Sequence, residues 1–282
     1  MAFLLAFQAI SATPPYLTTR QTNCSELELV IARGTGEPNA ITDGHFGIIV
    51  GDPLYNATKL LIPGTTGYAV NYPASGACDS GPRGITDTVN HFKSASASCP
   101  DQKFVLVGYS QGADVVHYAA AQISPSLYPA IIALVQFGDP TARASGLYDP
   151  NFNGQNPPSL PSVLAQRQKE NCALGDPVCT NNGSDFTKHL TYNSHGTTFM
   201  NNSALYIQKQ FQTNGQAGPD DVVKSPSGSQ TEANAAFLRP LSQSLANCNR
   251  TTPANETTTS TSVAANLGST TGAGCVVEFI RV

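Results

Sequence analysis

The chain has 282 residues, a net charge of −4 and only 12% charged residues. It has no basic run, which argues against a nucleic-acid partner, and no apolar stretch of about 18 residues, so no helical membrane span is expected. The length suits one α/β domain of about 200 residues plus an appendage.

Residues 1–12, MAFLLAFQAISA, run apolar from Ala2 to Ile10 and end in small residues. That is the pattern of a short signal peptide, although no Lys or Arg flanks Met1. The competing reading, a buried first strand, is opposed by Pro14-Pro15. Seven cysteines follow, at 24, 78, 99, 172, 179, 248 and 275. No C-x-x-C pair is matched by a second ligand pair, so no metal site is expected. Six N-x-[ST] sequons begin at Asn23, Asn56, Asn182, Asn201, Asn249 and Asn255. With the leader and the cysteines they predict a secreted, extracellular glycoprotein.

Glu26 to Ala32 suits a strand entering a buried sheet. Helical spacing over 46–61 is interrupted at Gly51-Asp52-Pro53. Gly67 to Asn71 predicts a second strand, and 84–98 an amphipathic helix with Ile85, Val89 and Phe92 on one face. Lys103 to Gly108 is the third strand, 111–123 a helix, Ile131 to Phe137 the fourth strand, 163–171 the fifth and 197–211 the last helix. Strands alternating with helices predict a parallel sheet covered on both faces. From Gly215 onward the composition turns to Ser, Thr, Asn, Gly and Ala, including NETTTSTS at 255–262. Such a segment buries too little apolar surface to offset chain entropy. The expected organisation is a leader (1–12), a catalytic domain (13–214) and a mostly disordered tail (215–282).

Gly108-Tyr109-Ser110-Gln111-Gly112 is G-x-S-x-G between a strand and a helix, the turn that lifts a serine hydroxyl above a sheet edge. A serine hydroxyl needs a neutral imidazole to take its proton and a carboxylate to orient that imidazole. Among five histidines, only His189 and His195 follow the sheet in the order serine, acid, histidine. His45, His91 and His117 read as surface or packing residues. Asp139, at a strand end, and Asp176, between Cys172 and Cys179, are both candidates for the acid. The oxyanion hole is expected from the backbone N–H of Gln111 and from the Gly-rich loop RGTGE after the first strand.

The motifs ARGTGEP (32–38), NYPAS (71–75), GYSQGA (108–113), FGDP (137–140), CALGDPVC (172–179) and HLTY (189–192) resemble the cutinases and their acetylxylan esterase relatives over about residues 24–212. The resemblance implies a three-layer α/β sandwich of α/β-hydrolase type with a mainly parallel five-stranded sheet. It implies Ser110 as nucleophile, Asp176 as acid and His189 as base, with Tyr192 as the tyrosine that commonly follows the family's histidine. Thr35 then joins Gln111 as oxyanion donor, and Asp139 becomes a structural strand-end residue. It further implies Cys24–Cys99 and Cys172–Cys179 disulfides. Cys248–Cys275 is a guess, and Cys78 is left as a free thiol or as a partner that upsets that pairing. The expected activity is a monomeric serine esterase acting on cutin-like polyesters or short acyl esters without cofactor. The alternatives are an acetylxylan esterase and a non-catalytic cell-wall glycoprotein.

Overall fold

The computed structural model describes residues 24–38, 45–142, 157–180 and 183–219. The leader, residues 220–282 of the tail and the Cys248–Cys275 pairing lie outside the described residues.

Five strands form one all-parallel sheet: β1 (Leu27–Ala32), β2 (Thr66–Ala69), β3 (Lys103–Tyr109), β4 (Ile131–Phe137) and β5 (Gln168–Asn171), in the order β2-β1-β3-β4-β5. The helices are α1 (Gly51–Leu61), α2 (Ser80–Ser98), α3 (Gln111–Gln122), a single turn α4 (Ser162–Ala165) and α5 (Phe199–Gln212). Side chains alternate across a strand, and this divides the core in two. Val30, Phe104 and Leu106 pack with Ile85 and Phe92 of α2 and Val116 of α3. Leu29, Ile31 and Val107 face the other way, onto Leu54 of α1 and Ala204 and Ile207 of α5. Burial on both faces is why β1, β3 and β4 read as continuous apolar runs.

Two expectations are corrected. The Gly51-Asp52-Pro53 interruption is the start of α1. A Cβ at Gly51 would lie 2.1 Å from the Phe46 carbonyl oxygen, the Asp52 carboxylate accepts from Phe46 N–H at 2.7 Å, and proline is tolerated in a first helical turn. The predicted strand over 163–171 divides into α4 and β5. Leu164 drops into the core from the helical turn. Arg167 then turns the chain, its guanidinium donating to the carbonyls of Ile131 (2.5 Å) and Tyr128 (2.8 Å).

The described part of the tail docks on the domain: Arg167 Nε donates to Gly215 O at 3.1 Å and Gln210 Nε2 to Gly218 O at 2.8 Å. Cys24–Cys99 and Cys172–Cys179 are disulfides, 75 and 7 residues apart in sequence. Cys78 is disulfide-bonded too, which removes the free-thiol alternative. No helix among the described residues is long and apolar enough to cross a membrane.

Candidate active site

The connection after β1 leads to one edge of the sheet and that after β3 toward the other, so the strand order reverses between β1 and β3. In open α/β sheets the crevice at the carboxyl ends of the strands beside such a reversal is the ligand site. The loop after β1 is RGTGE, and the residue after β3 is Ser110.

Ser110 adopts φ 54°, ψ −122°, a left-handed backbone that costs a non-glycine residue of order 1–3 kcal/mol. Its N–H donates to Phe137 O at 3.0 Å, and its carbonyl accepts from Ala113 N–H at 2.8 Å. The flanking glycines have separate reasons. A Cβ at Gly108 would stand 2.4 Å from Gly112 O, and one at Gly112 would stand 2.0 Å from Ala32 O. Only bare backbone lets α3 begin this close to the ends of β1 and β3.

Asp176 and His189 meet beside this turn. Asp176 is fully buried in the loop closed by Cys172–Cys179. Its Oδ1 accepts from Val178 N–H at 2.7 Å, and its Oδ2 accepts from His189 Nδ1–H at 2.8 Å and from Tyr192 O–H at 2.6 Å. A carboxylate only accepts, so in the neutral imidazole of His189 the proton belongs on Nδ1 and the lone pair on Nε2. His189 Nε2 is buried and has no hydrogen-bond partner among the described residues. The Ser110 hydroxyl therefore makes no hydrogen bond to it here; in substrate-free enzymes this bond is often long and tightens in the substrate complex. The imidazole is stacked on Tyr109, ring centroids 5.0 Å apart, and Tyr109 O–H donates to the His189 carbonyl at 2.8 Å. Gly138, at φ 54°, clears the space: a Cβ there would lie 2.6 Å from His189 Cε1.

The loop 33–38 is braced from both sides. Thr35, half-buried, sits in the turn closed by Glu37 N–H to Gly34 O at 3.2 Å. The Glu37 carboxylate, itself buried, accepts from Gly34 N–H (2.6 Å) and Ile49 N–H (2.8 Å). Burial pushes the Glu37 carboxyl above its ordinary value, against the pull of those two N–H groups and of Arg33. Gly36 N–H donates to Ala74 O at 2.7 Å. The Gln111 side chain reaches the same segment, accepting from Ser80 Oγ and donating to Ser75 O, each at 2.9 Å. Residues 74–80 thus tie the Thr35 turn to Gln111.

The other candidates make none of these contacts. Asp139 is buried, accepting from Thr141 N–H at 2.8 Å and from Gln136 Nε2 at 2.5 Å. Burial holds its carboxyl above the ordinary range. His45 pairs with Asp52, His91 with Glu28, and His117 Nε2 bonds the Pro158 carbonyl. His195 is exposed. In the sequence, Tyr192 stands out only through the family resemblance and Glu37 only as part of a motif. Neither residue type announces its role until the partner atoms are known.

A family model described as cutinase matches residues 23–211. The chain belongs to the cutinase family. It is a serine carboxylic ester hydrolase by that membership. It is 34% identical over 193 residues to cutinase CUT1 of Coprinopsis cinerea, covering 67% of this chain and 87% of that one. It is 32% identical to carboxylesterase Culp1 of Mycobacterium tuberculosis over 62% of this chain and 77% of that one. Among solved structures, a Trichoderma reesei cutinase with a phosphonate inhibitor shares 29% identity at a TM-score of 0.51, covering 67% of this chain and 77% of that one. An acetylxylan esterase shares 26% at 0.54, over 67% and 99%.

Proposed function

We propose that this cutinase-family protein is a secreted monomer that hydrolyses aliphatic carboxylic esters through an acyl-enzyme on Ser110. The observation that carries this reading is the buried Asp176–His189 pair, whose Nε2 has no partner among the described residues and whose ring stacks on Tyr109, the residue before a serine at a strained strand–helix turn. His189 Nε2 takes the Ser110 proton as Oγ attacks the ester carbonyl carbon. The carbonyl π electrons move to oxygen, where the backbone N–H groups of Thr35 and Gln111 receive the anion; each such donor is worth about 3 kcal/mol. The imidazolium returns its proton to the departing alkoxide as the C–O bond breaks. Water, deprotonated by the same nitrogen, then releases the acid. Asp176 holds the imidazole orientation and stabilises the imidazolium that forms. The chemistry uses only side chains, backbone and water.

Phe186, packed on the His189 ring with centroids 5.1 Å apart, and Leu190, exposed and next in sequence to His189, put apolar surface beside the proposed base. That supports an acyl chain longer than acetyl, as in a cutin-like polyester. The polar segment from Thr180 to Asp185 favours a second reading, deacetylation of plant polysaccharide such as acetylated xylan. Disulfides support export, because such bonds persist in oxidising compartments. A series of p-nitrophenyl esters of rising chain length, with cutin and acetylated xylan alongside, tests the reading. Best turnover beyond acetyl is expected. Activity confined to acetyl esters would replace the polyester reading with the polysaccharide one, and no esterase activity on any of them would refute both.

A further inference from the structure

Two sequons lie within described helices: Asn56-Ala57-Thr58 in α1 and Asn201-Asn202-Ser203 in the first turns of α5. A hydroxyl inside a helix that faces the core ordinarily has a partner there. Ser203 does: it is fully buried and its Oγ donates to Asn171 Oδ1 at 3.2 Å. Thr58 does not. It is 0% exposed, sits on the buried stripe of α1 with Gly51 and Leu54, and its Oγ1 has no hydrogen-bond partner among the described residues. Burying an unpaired hydroxyl is costly. Valine has nearly the same shape and the same branched rotamer preference without the penalty. The fold therefore gives a reason for a β-branched residue at 58 and none for its oxygen.

The sequon supplies that reason, because its third residue is read while the chain is still unfolded. Asn56 ends up exposed on the outer face of α1. One turn later on that face stands Leu60, 84% exposed, and helical side chains four apart are neighbours that lean toward the N-terminus. We infer that Asn56 carries an N-linked oligosaccharide, added before folding, whose first sugars cover Leu60. This rests on the export proposed above. The donor class is a polyprenyl-diphosphate-linked oligosaccharide. The Asn56 amide nitrogen bonds the sugar's anomeric carbon and loses one proton, while the lipid diphosphate leaves with the bonding electron pair.

The test is peptide mass spectrometry, before and after N-glycosidase treatment, on the full chain exported from a eukaryotic host. Thr58→Ser, Thr58→Val and Asn56→Gln are run in parallel. The Asn56 peptide should carry glycan in the wild type and in Thr58→Ser, and none in Thr58→Val or Asn56→Gln. The same chains made without glycosylation in a bacterial periplasm give the second readout: Thr58→Val should have a Tm about 2–4 °C above the wild type. An exported wild type unmodified at Asn56 overturns the site alone. A lower Tm for Thr58→Val overturns the argument from the unpaired hydroxyl. A chain retained in the cell overturns the export reading and this site with it.

Discussion

Asp176 Oδ2 accepts from two donors, His189 Nδ1–H and Tyr192 O–H, and the second draws negative charge away from the first. Tyr192→Phe keeps the ring among Tyr109, Phe137 and Phe199 and removes only the hydroxyl. The carboxylate then holds an imidazolium more tightly. If His189 is the base, as proposed, activity is expected to fall as pH falls, because a protonated imidazole cannot take a proton, and the acid limb of the kcat/KM profile should move to higher pH in the variant. Stability should drop by about 1.5–3 kcal/mol, the usual worth of a hydrogen bond to a charged group. An acid limb that stays in place in the variant would assign the tyrosine to packing alone. Glu37 acts on the other side of the site. Glu37→Gln can accept only one of the two N–H groups from Gly34 and Ile49 and turns an NH2 toward the other. A Thr35 turn held less well should lower kcat about tenfold to a hundredfold, short of the ~10²–10³ seen when an oxyanion donor is lost outright. KM should change little, and steady-state kinetics on one ester decides it. The sequence shows the glycines and serine of these turns plainly, because a strained backbone needs particular residue types. It does not show Glu37 or Tyr192 at work, because any loop accommodates glutamate or tyrosine and their roles depend on partners far along the chain.

At the scale of elements, the strands with both faces buried were legible from their apolar runs. The start of β5 was not: the strand expected over 163–171 contains it but begins too early. β5 reads Gln168-Lys169-Glu170-Asn171, with no apolar pattern to locate it, and the apolar residues just before it belong to a helical turn. Its polar side chains join a chain of amides instead: Gln168 Nε2 donates to Glu170 Oε1 at 2.5 Å and to Gln136 Oε1 at 3.0 Å, and Gln136 Nε2 donates to Asp139, while the buried Glu170 Oε2 has no partner among the described residues. Burial, reinforced by the neighbouring Asp139 charge, holds the Glu170 carboxyl well above its usual 4.5. A raised acid keeps its proton in the folded state to higher pH than in the unfolded chain. The stability this contributes is complete below about 4.5 and is lost as pH rises through the folded value. Glu170→Gln has no proton to lose. Its Tm should therefore exceed the wild type by about 2–4 °C at about pH 8 and not at about pH 4. Calorimetry showing the same gap at both would place the cost elsewhere.

For the whole molecule, the strand order sets the site. The reversal between β1 and β3 puts the Thr35 turn beside Ser110, and β4 and β5, next in the sheet, deliver Gly138 and the Asp176 loop to the same end. Two disulfides hold this arrangement. Cys24–Cys99, closing 75 residues, ties the start of β1 to the entry of β3 and contributes about 4–5 kcal/mol on the chain-entropy model. Cys172–Cys179, closing 7, contributes about 2–3 kcal/mol and fixes where Asp176 stands. The motif order serine, acid, histidine was readable along the chain; the Thr35–Ala74–Ser75–Gln111 brace was not, because it joins segments that only the folded sheet brings together. The central claim is that Ser110 is made nucleophilic by His189 and Asp176. The most direct measurement is intact-mass and peptide analysis after exposure to a serine-reactive alkyl phosphonate. One adduct per chain on Ser110, abolished together with ester turnover in Ser110→Ala, is the predicted result. An unlabelled Ser110 in an active protein, or a Ser110→Ala variant that still hydrolyses esters, would contradict it.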